Sequence, residues 1–354
     1  MNSFSVFFPA AGSVSIYGSS LGIPLIETIQ SAASPPLTVF MLIITNLVSQ
    51  AGFFLLLPVL YWCWNEKKAF RLGLLIIVSL WANDLAKNFF GMPRPFHLEG
   101  SLGMIPEEGY GFPSGHAQLS LTLLFPLARW LTEDGSGGLK KARPLVWVLT
   151  CLLLLLIGFS RLYLGVHFLW DLAGGWVLGG ILLAGFFVLP LVFRFLKKAG
   201  GGTDRGGSRS LRPALTAAAL VSLGMNAFHP GNTLPGALFF GFSLGFALMR
   251  KYFPFSAPGF SAPEPSGGVK GPDRVFLGGS LLRSLAGLAG AALIYLGLKA
   301  VFPGSGSPYY GLFRFARYAV LGFWVSGGAP WIFRRFPSRY KPASSGEAAS
   351  GPEG

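Results

Sequence analysis

Residues 144–171 read PLVWVLTCLLLLLIGFSRLYLGVHFLWD, and this stretch decides the fold. Positions 144–163 form an apolar run of the length a helix needs to cross a bilayer, roughly 17–25 residues. The run closes on Ser160 and Arg161 and is followed by His167 and Asp171. Ionisable groups at a membrane boundary are costly when idle, so their presence predicts a site.

Working outward, further spans are expected near 39–63, 69–90, 114–132 and 170–195, which with 144–163 make a first block of five. A Gly- and Arg-rich connector, 197–211, separates it from expected spans near 212–228, 234–250, 277–301 and 312–333. Residues 21–34 have apolar positions at helical spacing but are too short to cross, which suits a helix lying in the interface. The Pro- and Gly-rich stretch 254–274 reads as a loop and 337–354 as a disordered tail. The expected fold is therefore all-α: a polytopic membrane bundle with one block over 1–196 and extra membrane helices over 212–336.

Composition agrees, with 52% hydrophobic and 12% charged residues, about half the charged fraction of soluble domains. The first 35 residues hold no Lys or Arg to form the basic region of a cleavable signal, so entry is expected to rest on the first span. The net charge of +14 comes from basic residues at the ends of apolar runs, which points to topology and not to a nucleic-acid partner. Alternating the connections puts 20 of the 28 basic residues on one side, expected to be the cytoplasm of a bacterial inner membrane. Cys63 and Cys151 lie in apolar runs without C-x-x-C or His-rich company, so neither a disulfide framework nor a metal site is expected.

The other side has few cations, and three of them stand out. Lys87 and Arg94 follow the second span and Arg161 ends the fourth. On the same side lie Ser114, Gly115 and His116 at the start of the third span, and His167 and Asp171 before the fifth. Phosphoryl transfer spreads negative charge over the equatorial oxygens, and fixed cations answer that need. Ser114 and Gly115 add a hydroxyl and backbone N–H groups at a helix N-terminus, which favours anions. His167 and Asp171, four residues apart, share one helical face, so the carboxylate fixes the tautomer and leaves the other ring nitrogen as a nucleophile. His116 is placed to protonate the leaving oxygen.

The segments KNFFGMPRP (87–95), FPSGHAQ (112–118) and SRLYLGVHFLWD (160–171) closely resemble the signature of the type 2 phosphatidic acid phosphatase superfamily. The resemblance implies His167 as nucleophile, Asp171 as its partner and His116 as acid. It implies Lys87, Arg94, Ser114, Gly115 and Arg161 as phosphate binders, and a reaction that uses no metal or other cofactor. The expected activity is hydrolysis of a lipid or polyprenyl phosphate or pyrophosphate at the extracytoplasmic face, with membrane lipids as partners and no nucleic acid. A phosphatase for a soluble sugar phosphate and a non-enzymatic lipid transporter or scaffold stay open.

Around this core, the loop 96–112 is expected to roof the site, with His97, Glu99, Glu107, Glu108 and Tyr110 as candidates to choose the headgroup and Asp84 to tune Lys87. Glu107 and Glu108 read equally as solvated carboxylates. Small-residue pairs, Gly241 with Gly245 and Ala286 with Gly290, predict close helix packing. The extra spans are expected to serve as a packing scaffold or the dimer surface of a homo-oligomer, with a substrate gate as the second reading. For Asn226 and His229, near the active face, an interfacial hydrogen bond is the expected job.

Overall fold

The computed structural model describes residues 21–47, 49–134, 140–199, 211–257 and 274–335. The first block contains α1 (Ile23–Gln30), α2 (Pro35–Asn46), α3 (Gln50–Cys63), α4 (Glu66–Phe90), the single turn α5 (Pro95–Leu98), α6 (Gly115–Asp134), α7 (Arg143–Tyr163) and α8 (Leu169–Ala199). The second contains α9 (Leu211–Phe228), α10 (Leu234–Tyr252), α11 (Arg274–Val301), α12 (Tyr310–Phe323), a π turn (Trp324–Gly328) and α13 (Ala329–Phe333). No strand occurs among the described residues. Among the described residues, five helices are long and apolar enough to cross a membrane: Glu66–Leu98, Arg143–Tyr163, Leu169–Pro190, Leu211–Phe228 and Gly279–Val301. The chain is thus an all-α, multi-pass membrane bundle. Most of the 197–211 connector and of the 254–274 loop, and all of the 337–354 tail, fall outside the described residues.

The expected single span over 39–63 is instead two helices, α2 and α3. At about 18 and 21 Å neither reaches across a hydrocarbon core of roughly 30 Å by itself. The break has a local cause. The Asn46 side chain donates back to the carbonyl of Leu42 (2.8 Å), and Ser49, in extended conformation, accepts from the Gly52 N–H (3.1 Å) to cap α3. These polar groups compete with the helical ladder, and backbone interrupted at this depth is tolerated where it faces a cavity. The helix read as interfacial runs only over Ile23–Gln30, and it is tied to protein: Ile26 is buried against Leu102 and Phe168.

The two blocks share one core. Trp62, Leu72, Ile76, Leu123 and Ile157 of the first block cluster with Met225, Phe242 and Met249 of the second. Phe242 fits against α4 because residue 73 is glycine, where a Cβ would stand 2.6 Å from the ring. The π turn directs its carbonyls at α3, where Trp62 Nε1 donates to Val325 O (2.8 Å) and Tyr61 Oη to Ser326 O (3.0 Å). Gly241 and Gly245 lie against the backbone and Ser326 side chain of the α12–α13 segment, as their spacing predicts. Of the second pair, Gly290 meets the Trp324 ring, whereas Ala286 is exposed.

Chain direction sets where the site falls. The C-terminal ends of α4 and α7 and the N-terminal ends of α6 and α8 meet at one end of the bundle. Lys67, Lys68, Arg71, Lys140, Lys141, Arg143, Arg250, Lys251, Arg334 and Arg335 lie at helix ends toward the other.

Candidate active site

Each site residue is delivered by a helix end. Helix α4 stops at Gly91, whose left-handed conformation (φ 61°) turns the chain so that Arg94 folds back beneath the 96–112 loop. A second left-handed glycine, Gly165 (φ 67°), turns the chain from α7 toward His167 and packs so tightly on the Leu102 carbonyl that a Cβ has no room. The Gln30 side chain of α1 clamps the same region, donating to the carbonyls of Leu102 and Tyr163, both at 2.9 Å.

The expected residues converge. His167 Nδ1 lies 3.2 Å from Asp171 Oδ2, and that oxygen also accepts the Phe168 N–H at 2.9 Å. His167 Nε2 lies 3.3 Å from Arg94 Nη1. Hydrogen bonding assigns the tautomer: Nδ1–H donates to the carboxylate, and the Nε2 lone pair faces the guanidinium. Arg94 is held by backbone carbonyls, with Nε donating to Gly109 O (2.9 Å), Nη2 to Glu108 O (2.9 Å) and Nη1 to Val166 O (3.1 Å). Lys87 donates to the carbonyls of Tyr110 and Gly111. The Ser114 N–H donates to Asp171 O (2.9 Å), joining the start of α6 to that of α8.

A cavity of about 660 Å³ opens onto this cluster, lined by Lys87, Arg94, Glu107, Gly115, His116 and His167 among others. Ser114, Arg161 and Asp171, each at most 1% exposed, are not among the residues that line it. Arg161 Nη1 donates to Thr45 Oγ1 (2.9 Å), Nη2 pairs with Glu107 Oε2, and Nε has no hydrogen-bond partner. Glu107 also approaches Arg94 Nη2 at 3.8 Å. It is therefore not a solvated carboxylate: its oxygens occupy the position that an anion bound between the two guanidiniums would take. His167 lies between membrane helices, and burial, reinforced by Lys87, Arg161, Arg94 and His116, pushes its pKa well below the ordinary imidazole value.

Several residues do jobs other than those expected. His97 Nδ1 accepts the Arg94 N–H (3.2 Å) and Glu99 accepts from Ser101, so both cap the loop instead of facing the cavity. Asp84 does not touch Lys87; it pairs with His229 Nε2 (2.8 Å) and accepts from Asn232 Nδ2 (2.9 Å). Asn226 bonds within its own helix, to Ser222 O. Sequence reasoning missed Thr45, Asn46 and Ser49 at the α2–α3 break; the signal was polar residues inside an otherwise apolar run. It also missed the Asn83–Gln118 bond (2.8 Å), continued from Gln118 to Ser79 (2.8 Å), which fixes α4 against α6. Asn232 and Arg314, from the second block, line the cavity as well.

Comparison with known proteins follows the same division. Residues 68–199 match the family model described as PAP2 superfamily, and residues 234–341 match one described as PAP2 superfamily phosphatase, transmembrane extension. The chain is 28% identical over 168 residues to lipid phosphate phosphatase delta of Arabidopsis thaliana, covering 46% of this chain and 40% of that one. It is 33% identical over 79 residues to phosphatidylglycerophosphatase B of Bacillus subtilis, covering 22% and 38%. A crystal structure of a transmembrane PAP2 type phosphatidylglycerolphosphate phosphatase from Bacillus subtilis superposes with a TM-score of 0.41 at 23% identity, covering 55% of this chain and 90% of that one. The chain spans less than half the length of these two curated relatives.

The position of Glu107 generates a prediction. Glu107→Gln removes the carboxylate that competes for Arg161 and Arg94, so orthophosphate and orthovanadate should bind up to about fivefold more tightly, the upper range for a partly exposed ion pair. Isothermal titration of the detergent-purified protein measures this. Weaker anion binding by Glu107→Gln would show that the carboxylate orients the guanidiniums and does not compete with the ligand.

Proposed function

The chain belongs to the PAP2 superfamily, and from that premise we propose that it hydrolyses a lipid or polyprenyl phosphate through a phosphohistidine on His167, without a metal ion. The observation that carries this reading is the orientation of His167: Asp171 holds Nδ1, and Nε2 is aimed into a cavity ringed by fixed cations.

The geometry supports the following steps. A phosphate monoester enters between Lys87, Arg94 and the N-terminus of α6, displaces Glu107, and meets the free Arg161 Nε donor. Nε2 attacks phosphorus, an N–P bond forms, the bond to the leaving oxygen breaks, and His116 gives that oxygen its proton. Neutral His116 then takes a proton from water, the resulting hydroxide attacks phosphorus, and the N–P bond breaks to release inorganic phosphate and restore His167. The cations stabilise the equatorial oxygens in both steps, supplying the positive charge that a metal ion provides in other phosphatases. A substrate with a hydrocarbon tail suits a site at the membrane end of a bundle. The concentration of basic residues at the opposite end supports an extracytoplasmic site in the plasma membrane.

His167→Ala should lower phosphate release from a lipid phosphate by about 10⁴-fold or more, while chelator leaves the parent rate intact and vanadate inhibits it. A variant at the parent's rate would remove the nucleophile from the account. Because the pKa of His167 is depressed, Nε2 stays unprotonated to well below pH 6.5, and the acid limb of kcat/KM should lie below that value. Lys87→Gln removes a charge that depresses it and should move the limb to higher pH; an unmoved limb would assign it to another group.

Sidedness is open to labelling. Gly100 is exposed with nothing near its Cβ position, so Gly100→Cys in a Cys63→Ser, Cys151→Ser background tolerates a probe. A membrane-impermeant maleimide should label it in intact cells; labelling only after lysis would invert the topology.

A further inference from the structure

We propose that the second block forms the binding site for the substrate's hydrocarbon tail, in an apolar cleft that continues the catalytic cavity into the membrane. This rests on the lipid phosphatase reading above and adds to it where the tail goes and which part of the chain selects it.

The cleft has a volume of about 500 Å³, lies between α3, α4, α10, α11 and α12, and no charged side chain lines it. Leu234, at the start of α10, lines both this cleft and the catalytic cavity, so the two spaces share a wall. The same order repeats on each shared element. On α12, Arg314 lines the polar cavity and Tyr318, one turn further from the site, lines the cleft. On α3, Ser49 faces the cavity from the cap and Phe53 and Leu57 face the cleft from the next two turns. On α4, which runs toward the site, Asn83 belongs to the cavity and Ile77 to the cleft. Three elements thus change from polar to apolar in one direction, away from His167.

A phosphate ester with an apolar tail has that polarity profile. With its phosphorus at His167, its linkage passes Leu234 and its first methylenes enter the cleft. Between Leu234 and Phe242 the cleft runs roughly 12 Å along α10, so it takes the proximal part of a tail, and the remainder leaves past exposed Phe54 and Leu55 into lipid. The headgroup side is closed by the same block: Arg314 donates to Asn232 Oδ1 (3.1 Å), and Asn232 donates to Asp84 on the catalytic helix α4 (2.9 Å). The second block therefore supplies one wall to each half of the substrate.

Two substitutions change the cleft without touching the catalytic cluster. Ala291→Phe, on α11, fills it, and Tyr295→Ala, one turn on, widens it. The measurement is kcat/KM for dioleoyl phosphatidate, dihexanoyl phosphatidate and para-nitrophenyl phosphate in detergent. The parent should favour the long tail; Ala291→Phe should lose about tenfold toward dioleoyl phosphatidate, the loss of roughly two buried methylenes, with the tail-free ester unchanged. Unchanged para-nitrophenyl phosphate hydrolysis also reports a folded variant. If Ala291→Phe is inactive toward every substrate, Tyr295→Ala decides: an altered tail preference sustains the cleft, and an unaltered one overturns it. If the parent cleaves lipid phosphates but neither tail length nor either variant alters kcat/KM, the cleft assignment alone fails. If it cleaves only the tail-free ester, the lipid reading fails and takes this one with it. A variant that turns a dimer into a monomer while keeping tail preference makes the cleft a protomer interface and overturns the proposal.

Discussion

Burying Arg94 and Arg161 at the membrane end of a helix bundle is the constraint from which the rest of the site follows. Both guanidiniums are at most 2% exposed, where an uncompensated charge costs several kcal/mol. The fold compensates Arg94 with three backbone carbonyls drawn from the 96–112 loop and the turn before His167. It compensates Arg161 with Thr45 and Glu107. The loop, the α2–α3 break and the Gly165 turn therefore all exist in forms that bring oxygen to these cations. Neutralisation is nevertheless incomplete, because carbonyl dipoles carry no net charge and Glu107 is the one carboxylate paired with both arginines among the described residues. This surplus positive charge beside a rigid imidazole is the electrostatic basis of the phosphate site proposed above.

That these residues come together was legible in the sequence because they sit on short spacings at span ends. His167 lies two residues before α8 and not on a shared helical face with Asp171; the contact forms because Asp171, in the first turn of α8, reaches back to the His167 ring and the Phe168 N–H. The ends of α4, α6, α7 and α8 had to meet once the spans alternated. Less legible was everything set by distant partners. Nothing local to Asp84 distinguishes a residue that tunes Lys87 from one that pairs with His229, 145 positions later. His97 looked like a cavity residue, yet a single turn of helix after Arg94 directs its ring to a backbone N–H. The run 39–63 read as one span because its hydropathy is high throughout; Asn46 and Ser49 break it through hydrogen bonds that an average over many residues hides.

The C-terminal block shows the same limit at larger scale. Small residues at Gly241 and Gly245 announced tight packing but not what was packed. In the structure they seat α10 against the α12–α13 segment and thereby fix Leu234 and Arg314 at the edge of the catalytic cavity. A scaffold and a substrate wall are then the same object: the glycine contacts that hold the helices also decide the shape of the space beside His167.

The central claim is that phosphorus passes through His167 Nε2. Rapid quenching into base after mixing with a ³²P-labelled lipid phosphate, followed by peptide mapping, measures it most directly. The account predicts a base-stable, acid-labile phosphate on the peptide containing His167, present within one turnover and absent from His167→Ala. A fully active enzyme that shows no protein-bound phosphate at any time, under conditions where the second step is slowed by low temperature, would contradict it.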